Sequence, residues 1–361
     1  MKIVKLTEIC NPKQWKTLST EQLLPSGYPV YGANGKIGFY SDFNHKNPTI
    51  MITCRGATCG TINISEPNSW INGNAMCLDN LSNDVNIRYL VHYLSNYDFR
   101  NVISGSAQPQ ITRENLNKVK VKLYEIEQQA IISNTLDKTQ KIISEYKEVL
   151  LKYDTLIKSR FIEMFGEPHN NTKYPYKTVG DFTTVTSGGT PDRKNTEYWK
   201  NGNIPWVKTT ELQNNELTEV EEFITKKGLD ESSAKMMPIG TLLIAMYGQG
   251  KTRGMTAYLG IEASTNQACA CILPSEEINQ KYLWYYFILS YDKLRDLAKG
   301  GNQPNLNGNM IKNFPVLMPP IEMQNEYVSF VQQIDKSKFT VQKSLEKAET
   351  LYKSLMQEYF G

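Results

Sequence analysis

Among all the residues of this chain, the run AMYGQGKT, residues 245–252, is best suited to chemistry. An Ala, four residues and then Gly-Lys-Thr is the relaxed spacing of a phosphate loop. In such a loop, backbone N–H groups and the Lys hold phosphate while the Thr hydroxyl meets magnesium. The run also follows an apolar, strand-like TLLIAM. A phosphate loop needs its Lys-Thr to open a helix, because the helix N-terminal amides complete the anion site. Here TRGMTAYLGIE follows, with Gly254 and Gly260 where helical periodicity should run, and no apolar strand ending in Asp comes after it. Nucleotide binding through residues 245–252 is therefore the alternative reading. The leading one is a Gly-rich turn that presents Lys251 and Arg253 to DNA, and a turn with a purely structural role is the third.

Other catalytic chemistry finds little support. His45, His92 and His169 stand alone, with no partner at metal-ligand spacing. The six cysteines, Cys10, Cys54, Cys59, Cys77, Cys269 and Cys271, include no Cys-x-x-Cys pair. Neither a disulfide framework nor a metal site is expected. The acidic stretch ELTEVEEF, residues 216–223, reads as a solvated face. No catalytic residue and no metal ligand is assigned, and this chain is expected to hold no cofactor.

Reading DNA takes side chains that form paired hydrogen bonds with base edges, Arg or Lys to guanine and Asn or Gln to adenine. Anchoring takes Lys, Arg, Ser, Thr and exposed amides against phosphate. Turns rich in these types beside rigid strands supply the candidates. In the first half they are Asn34, Lys36, Arg55, Ser106 and Gln108. In the second they are Ser187, Thr190, Lys208, Tyr247, Lys251, Arg253, Asn302 and Gln303. Asn34-Gly35 is equally well explained as a hairpin turn. Gln108-Pro109 and Gln303-Pro304 recur in both halves, which suits a shared backbone role better than the reading of one base. Tyr28, Tyr31, Phe39 and Tyr40 alternate and are expected in the core.

These turns need elements to hold them, and the pattern of those elements occurs twice. In the first half, YPVYGANGKIGFY (28–40), TIMITCRG (49–56) and AMCL (75–78) read as strands and IRYLVHYLSNYDF (87–99) as an amphipathic helix. VKVKLY (119–124) is a closing strand. In the second half TVGDFTTVTSGGTP (178–191) is a strand and Gly-rich turn, TLLIAMYG (241–248) a buried strand and KYLWYYFILS (281–290) the matching helix. FPVLMPP (314–320) closes it. Cys269 and Cys271 fall in ACACIL, a strand with both on one side.

A long helix follows each half. In the first, Ile132, Leu136, Thr139, Ile143, Tyr146, Leu150, Tyr153 and Ile157 recur at steps of four and three, without Gly or Pro until Gly166 and Pro168. The second repeats the stripe through Val331, Ile334, Val341, Leu345, Ala348, Tyr352 and Leu355, with Lys338 as a polar interruption. Both close on a Leu-x-Lys-Ser…Glu-x-Phe-Gly pattern, ending at Gly166 and Gly361. The expected organisation is a domain over 1–123, a helix over 124–168, a second domain over 169–320 and a second helix over 321–361. If the two stripes pack together, the helices run antiparallel as a coiled coil and the domains are related by a pseudo-two-fold axis. Half-sites one DNA turn apart, about 34 Å, would fit that span. Ile142, Val149 and Leu156 form a second apolar line beside the first, wider than a two-helix seam requires, and mark where partner helices would dock.

At 361 residues two domains are expected. The net charge of +3 is small for a nucleic-acid binder, but the basic excess lies in the domains rather than the helices. MKIVKLTEIC has no apolar signal core, and YLWYYFILSY (282–291) is too short to span a bilayer, so a cytoplasmic chain without membrane contact is expected.

Taken together, YPVYGANGKIGFY, SGSAQPQIT, IEQQAIISNTLDK, the GGTP turn, IPWVKTTEL, GGNQPNLN and the two helix endings resemble the specificity subunit of type I restriction-modification systems, over the full length and in the family's order. The resemblance implies a mixed α/β fold of two target-recognition domains separated by two long helices. Each domain would read half of a bipartite double-stranded DNA target, asymmetric here because the domains diverge. It implies two methyltransferase subunits docked on the helices and motor-nuclease subunits joining them, with S-adenosylmethionine, ATP and magnesium held by those partners. The sequence contains no Asn/Asp-Pro-Pro-aromatic methylation motif and no helicase or nuclease constellation, in keeping with that division of labour. A scaffold whose domains bind protein rather than DNA is the remaining alternative.

Overall fold

The computed structural model describes residues 1–105, 108–248, 250–298 and 305–361. Four helices recur below: α1 (Ile87–Asn96), α2 (Ile126–Phe165), α3 (Gln280–Leu289) and α4 (Ile321–Phe360). The chain forms two units, residues 1–148 with 342–361, and residues 149–341. The division falls inside the long helices. Each unit therefore holds a domain, one part of α2 and one part of α4.

In the first unit a four-stranded antiparallel sheet runs in the order Asn11–Lys13, Ala75–Asp79, Ile50–Thr53, Ile62–Ile64. Its centre is covered on both faces. Ile50, Ile52, Met76 and Leu78 face the core under α1, while Met51, Ala75 and Cys77 face a smaller cluster with Tyr31 and Ile71. Burial on both sides explains why IMIT is continuously apolar rather than alternating. A second sheet joins Gly35–Tyr40, Tyr28–Gly32 and Trp70–Ile71. Lys2–Lys5 pairs with Lys120–Leu123, so the start of the domain closes against its end.

The second unit repeats this plan and adds to it. Its main sheet runs Val185–Ser187, Cys269–Ile272, Leu242–Ala245, Thr256–Leu259, with Asn215–Leu217 as an added edge strand. A three-stranded sheet of Glu222–Ile224, Ile204–Val207 and Ser264–Thr265 corresponds to the smaller sheet of the first unit. In both small sheets the last pair is parallel. Cys269 and Cys271 lie on one face and Ala270 and Ile272 on the other, all buried.

Two local expectations are corrected. The stretch expected as one strand and turn from residue 178 is a strand Tyr176–Thr178, a single helical turn Val179–Phe182 and a second strand Val185–Ser187. The turn forms because Asp181 accepts the Thr178 N–H at 2.7 Å, a side-chain cap that frees the backbone from strand pairing. Glu8 does the same for Lys5 at 3.1 Å. Of the hairpin aromatics, Tyr31 is buried, but Tyr28 is exposed and Phe39 and Tyr40 are only half-buried. Tyr28 and Tyr31 are three residues apart and Phe39 and Tyr40 are adjacent, so strand alternation puts the members of each pair on opposite faces; the register also slips at Ile37, with Val30 opposite Gly38 and Tyr31 opposite Lys36.

Within each unit the two helices run antiparallel. In the first, Gln140 donates to the Tyr352 hydroxyl at 2.8 Å and Lys147 meets Glu349 at 2.8 Å. In the second, Asp154 meets Lys338 at 2.5 Å, Ile157 O accepts from the Tyr327 hydroxyl at 3.3 Å and Arg160 meets Glu326 at 2.9 Å. Lys338, the polar break in the stripe, is thus an ion-pair partner. Ile132, Leu136 and Ile157 are buried, whereas Ile143, Tyr146, Leu150 and Tyr153 are half-buried. Ile132, Leu136 and Ile157 join the domain cores, while Thr139 and Leu345 are buried outside those cores.

Candidate nucleic-acid interface

The same hydrogen bonds hold both domains to the helices. Gln129, fully buried on α2, accepts the Asn86 N–H at 2.8 Å and donates to Asp84 O and Tyr124 O. Gln324 on α4 accepts the Asn279 N–H at 2.9 Å and donates to Pro319 O. Asn86 and Asn279 in turn cap α1 and α3 through their side chains. Tyr89 donates to Lys122 O and Tyr282 to Leu317 O, each hydroxyl satisfying a carbonyl of the closing strand. The end of α4 places Phe360 against Tyr89 and Tyr93, and the end of α2 places Phe165 against Tyr282. In each unit one long helix starts against the domain and the other ends against it.

These anchors fix the sheet from which the candidate turns project. Ile111 N–H donates to Cys54 O, and Leu306 N–H to Met246 O, both at 3.0 Å. In each domain this bond ties the segment that follows the Gln-Pro pair in sequence to the end of the buried central strand. In the first unit, three turns meet there. Thr58 donates to Asn34 Oδ1 at 2.6 Å, Gly56 N–H donates to Pro109 O at 3.0 Å and Arg55 bridges to Gln110. Asn34, Arg55 and Gln108 are exposed on this joined edge. Lys36 is exposed on the neighbouring strand, its ammonium 3.5 Å from Glu66 and over the Phe39 ring.

In the second unit the corresponding edge carries a different set. Met246 N–H donates to Ala268 O at 2.8 Å, and beside it Thr190 hydrogen-bonds to Gln267. Ser187 is exposed at the end of its strand. Gly189 N–H donates to Thr265 O, and Trp206 Nε1 donates to Gly189 O at 2.9 Å, which packs the GGTP turn onto the sheet. A Cβ on Gly189 would lie 2.3 Å from Ser233 C, so the close approach requires glycine. Lys208 lies between Glu221 at 2.7 Å and Glu222 at 3.0 Å, so a phosphate contact from it requires those pairs to open. Its hydrogen bonds to the two carboxylates raise its pKa. At Glu222, burial acts upward, but hydrogen bonds from Arg193 and Lys208 outweigh it and hold the carboxyl below its ordinary range.

Residues 245–252 do not form a phosphate loop. Gly248, Gly250 and Gly254 have φ of +136°, +62° and +87°, and the residues from Lys251 to Gly254 are turns, not the first turn of a helix. Among the described residues, no helix opens at Lys251 to offer N-terminal amides to an anion. The Lys251 and Arg253 carbonyls instead accept from the Tyr291 hydroxyl at 2.7 Å and Arg295 Nη1 at 2.8 Å. Their backbone is thereby held while the Lys251 side chain and Tyr247 stay exposed. Arg253 Nε is buried with no hydrogen-bond partner among the described residues. Ser106, Asn302 and Gln303 lie outside the described residues.

The structure adds members that the sequence did not single out. Thr58, Gln110 and Gln267 are exposed on the same edges, and Arg295 supports the second. Gln267 directly follows Asn266, the counterpart of Asn74, and that adjacency was the available signal. Of the candidate docking line, Ile142 and Leu156 are exposed and Val149 is half-buried. No described helix is long and apolar enough to cross a membrane.

Residues 1–152 and 171–349 match the family model of the type I restriction modification DNA specificity domain. The chain belongs to that family. It is 28% identical to the EcoR124I/EcoR124II specificity subunit of Escherichia coli over 164 residues, 44% of this chain and 40% of that protein. It is 21% identical to a putative type I specificity subunit of Haemophilus influenzae over 333 residues, 89% of this chain and 83% of that one. The first of these matches spans less than half of the relative. Among solved structures, the S subunit of a type I system from M. genitalium superposes with a TM-score of 0.67 at 15% identity, covering 100% of this chain and 96% of that one. A chain from a structure of type I complex assembly and conformational transition gives 0.57, also at 15% identity. At these identities the likeness is one of fold: the duplicated mixed α/β architecture with long helices is that of type I specificity subunits.

Proposed function

We propose that this chain is the non-catalytic DNA-recognition subunit of a type I restriction-modification complex. It reads a bipartite, asymmetric double-stranded target, one domain to each half-site. One observation carries the proposal: two domains share a conserved set of internal anchors yet present unlike side chains at the same edge. Asn34, Arg55 and Gln108 stand in one, and Ser187, Thr190, Tyr247, Lys251 and Arg253 in the other. A common scaffold with differing polar and basic turns suits base-edge readout, in which each half-site demands its own donors and acceptors. Lys36 and Lys208 are assigned to backbone anchoring, and Ser106, Asn302 and Gln303 to the Gln-Pro turns. Target-recognition domains over 1–123 and 169–320 and helices over 124–168 and 321–361 are the functional divisions.

Two methyltransferase subunits dock on the helices, at apolar positions that include the exposed Ile142 and Leu156 and the half-buried Val149, and motor-nuclease subunits join them. S-adenosylmethionine, ATP and magnesium belong to those partners, all in the cytoplasm. The test is to co-express the chain with its cognate methyltransferase and map methylated adenines genome-wide. One bipartite motif should appear, and exchanging residues 1–123 for those of a relative should change one half of it alone. Methylation without a bipartite motif, or a change in both halves, would refute the proposal.

A further inference from the structure

We propose that the first domain contains a structural site for a zinc-class divalent ion, formed by His45, Cys77 and Asp79. One ligand atom from each, a histidine ring nitrogen, the Cys77 sulfur and an Asp79 oxygen, lie within 4.8 Å of one another. They come from two elements. Cys77 and Asp79 are two apart on one strand and therefore point to the same side. His45 is delivered by the loop before Ile50–Thr53, whose backbone pairs with Ser69.

The hydrogen bonds around His45 leave a specific gap. Asn44 is pinned by the backbone of Ile71, which donates its N–H to Oδ1 at 2.8 Å and accepts from Nδ2 at 3.0 Å. The Asn44 atom 2.6 Å from His45 Nδ1 is therefore the oxygen, and Nδ1 must carry a hydrogen. In the neutral ring, Nε2 is then a lone pair, and it faces Asp79 Oδ1 at 3.0 Å. Either a second ring proton, giving a His45–Asp79 ion pair, or a metal ion can occupy that gap, and the Cys77 sulfur within 4.8 Å of both groups is a ligand that only the metal ion uses. Asp79 Oδ2 is already fixed by Trp15 Nε1 at 3.0 Å. A ligating imidazole whose other N–H is held by a carbonyl oxygen, beside a carboxylate itself hydrogen-bonded, is the outer arrangement that metal-binding histidines use.

One nitrogen, one sulfur and one carboxylate oxygen match zinc better than magnesium or calcium, which prefer oxygen alone. Donors around tetrahedral zinc sit roughly 3.4 Å apart, so the trio closes on an ion with side-chain adjustments of about an ångström. A cavity of about 610 Å³ lined by His45, Asp79, Trp15 and Asn11 leaves room for water as fourth ligand. On binding, the Cys77 S–H gives its proton to solvent as the sulfur–metal bond forms, with no change in oxidation state. The ion would tie the 41–49 loop to the central sheet of the first domain.

The probe is cobalt(II), followed by zinc(II), added to the purified full chain after chelator treatment. One equivalent of cobalt should give a near-ultraviolet thiolate-to-cobalt charge-transfer band and visible bands of tetrahedral intensity. The charge-transfer band should vanish in C77S. In D79N, which preserves side-chain shape, cobalt affinity should fall at least about tenfold. Zinc should raise the Tm of the native chain and raise that of D79N by less at the same concentration. No charge-transfer band at stoichiometric cobalt, or a band that survives in C77S, would overturn the site. So would ring-nitrogen NMR showing both His45 nitrogens protonated in the presence of zinc, since an imidazolium–aspartate pair would then fill the gap.

Discussion

The two domains are one scaffold with two surfaces. Gln129 and Gln324, Tyr89 and Tyr282, Phe360 and Phe165 make the same contacts at corresponding places. The second domain adds an edge strand, Asn215–Leu217, and a longer run before its central strand. It also replaces the Asn34–Arg55–Gln108 edge with a Gly-rich turn carrying Lys251 and Arg253. What the domains share satisfies buried polar groups and fills the core against the helices. What differs sits on turns, where loss of one side chain orphans little.

The comparison is broken most severely at the helix ends. Phe165 is fully buried among Phe161, Tyr174, Tyr282 and Tyr327, whereas Phe360 is 8% exposed and touches Tyr89, Tyr93 and Tyr359. Phe165→Ala should cost about 4 kcal/mol and Phe360→Ala about 3 kcal/mol by denaturant unfolding. Equal costs would mean that Phe360 at the end of α4 is held as firmly as Phe165 at the end of α2. Next come the paired glutamines: Gln129→Ala and Gln324→Ala should each cost about 2–3 kcal/mol, because each leaves a buried N–H and at least one carbonyl unpaired. A large effect in one alone would deny that the anchors are equivalent.

The surfaces should then separate where the scaffold does not. Arg55→Ala and Arg253→Ala should each weaken DNA binding by the complex by about 1–3 kcal/mol in a salt-controlled titration, each relaxing only its own half-site. Uniform weakening across sequences would reduce them to phosphate anchors.

A smaller difference concerns pH. His169 of the second unit is held below the ordinary histidine pKa, first by burial and then by the nearby Lys293 charge. The neutral ring is thus the folded form. Its contribution to stability is present above pH 6.5, the ordinary value, and is lost as pH falls through the depressed folded value. Thermal scans from pH 7.5 to 5 should show a slope that His169→Gln reduces. The smallest effects are expected at the exposed helix ion pairs. Lys147→Ala and Lys338→Ala should each shift stability by no more than about 0.5 kcal/mol.

Much of this architecture was legible in sequence because it rests on periodicity and repetition. The stripe from Ile132 to Ile157 is a one-dimensional pattern, and a helix of 40 residues with a stop at Gly166 follows from local rules. The doubled Gln-Pro turns and helix endings revealed the duplication without reference to any contact. The capped turns at Leu6–Ile9 and Val179–Phe182 were missed because one carboxylate redirected a segment whose composition suits a strand. The hairpin aromatics are not all core because Tyr28 and Tyr31, and Phe39 and Tyr40, are at odd spacings that place them on opposite faces of the sheet.

The sequence by itself determined that there are two mixed domains, two long helices and no phosphate-loop helix after Lys251, since local spacing and glycine placement suffice for each. The tertiary structure alone decided which residues meet. It brought Arg55 to Gln110, Thr190 to Gln267, and His45 to Cys77 and Asp79, across separations of 32 to 77 positions at which no periodicity operates. Strand order is set by burial of both sheet faces at once, and only the folded chain satisfies that condition.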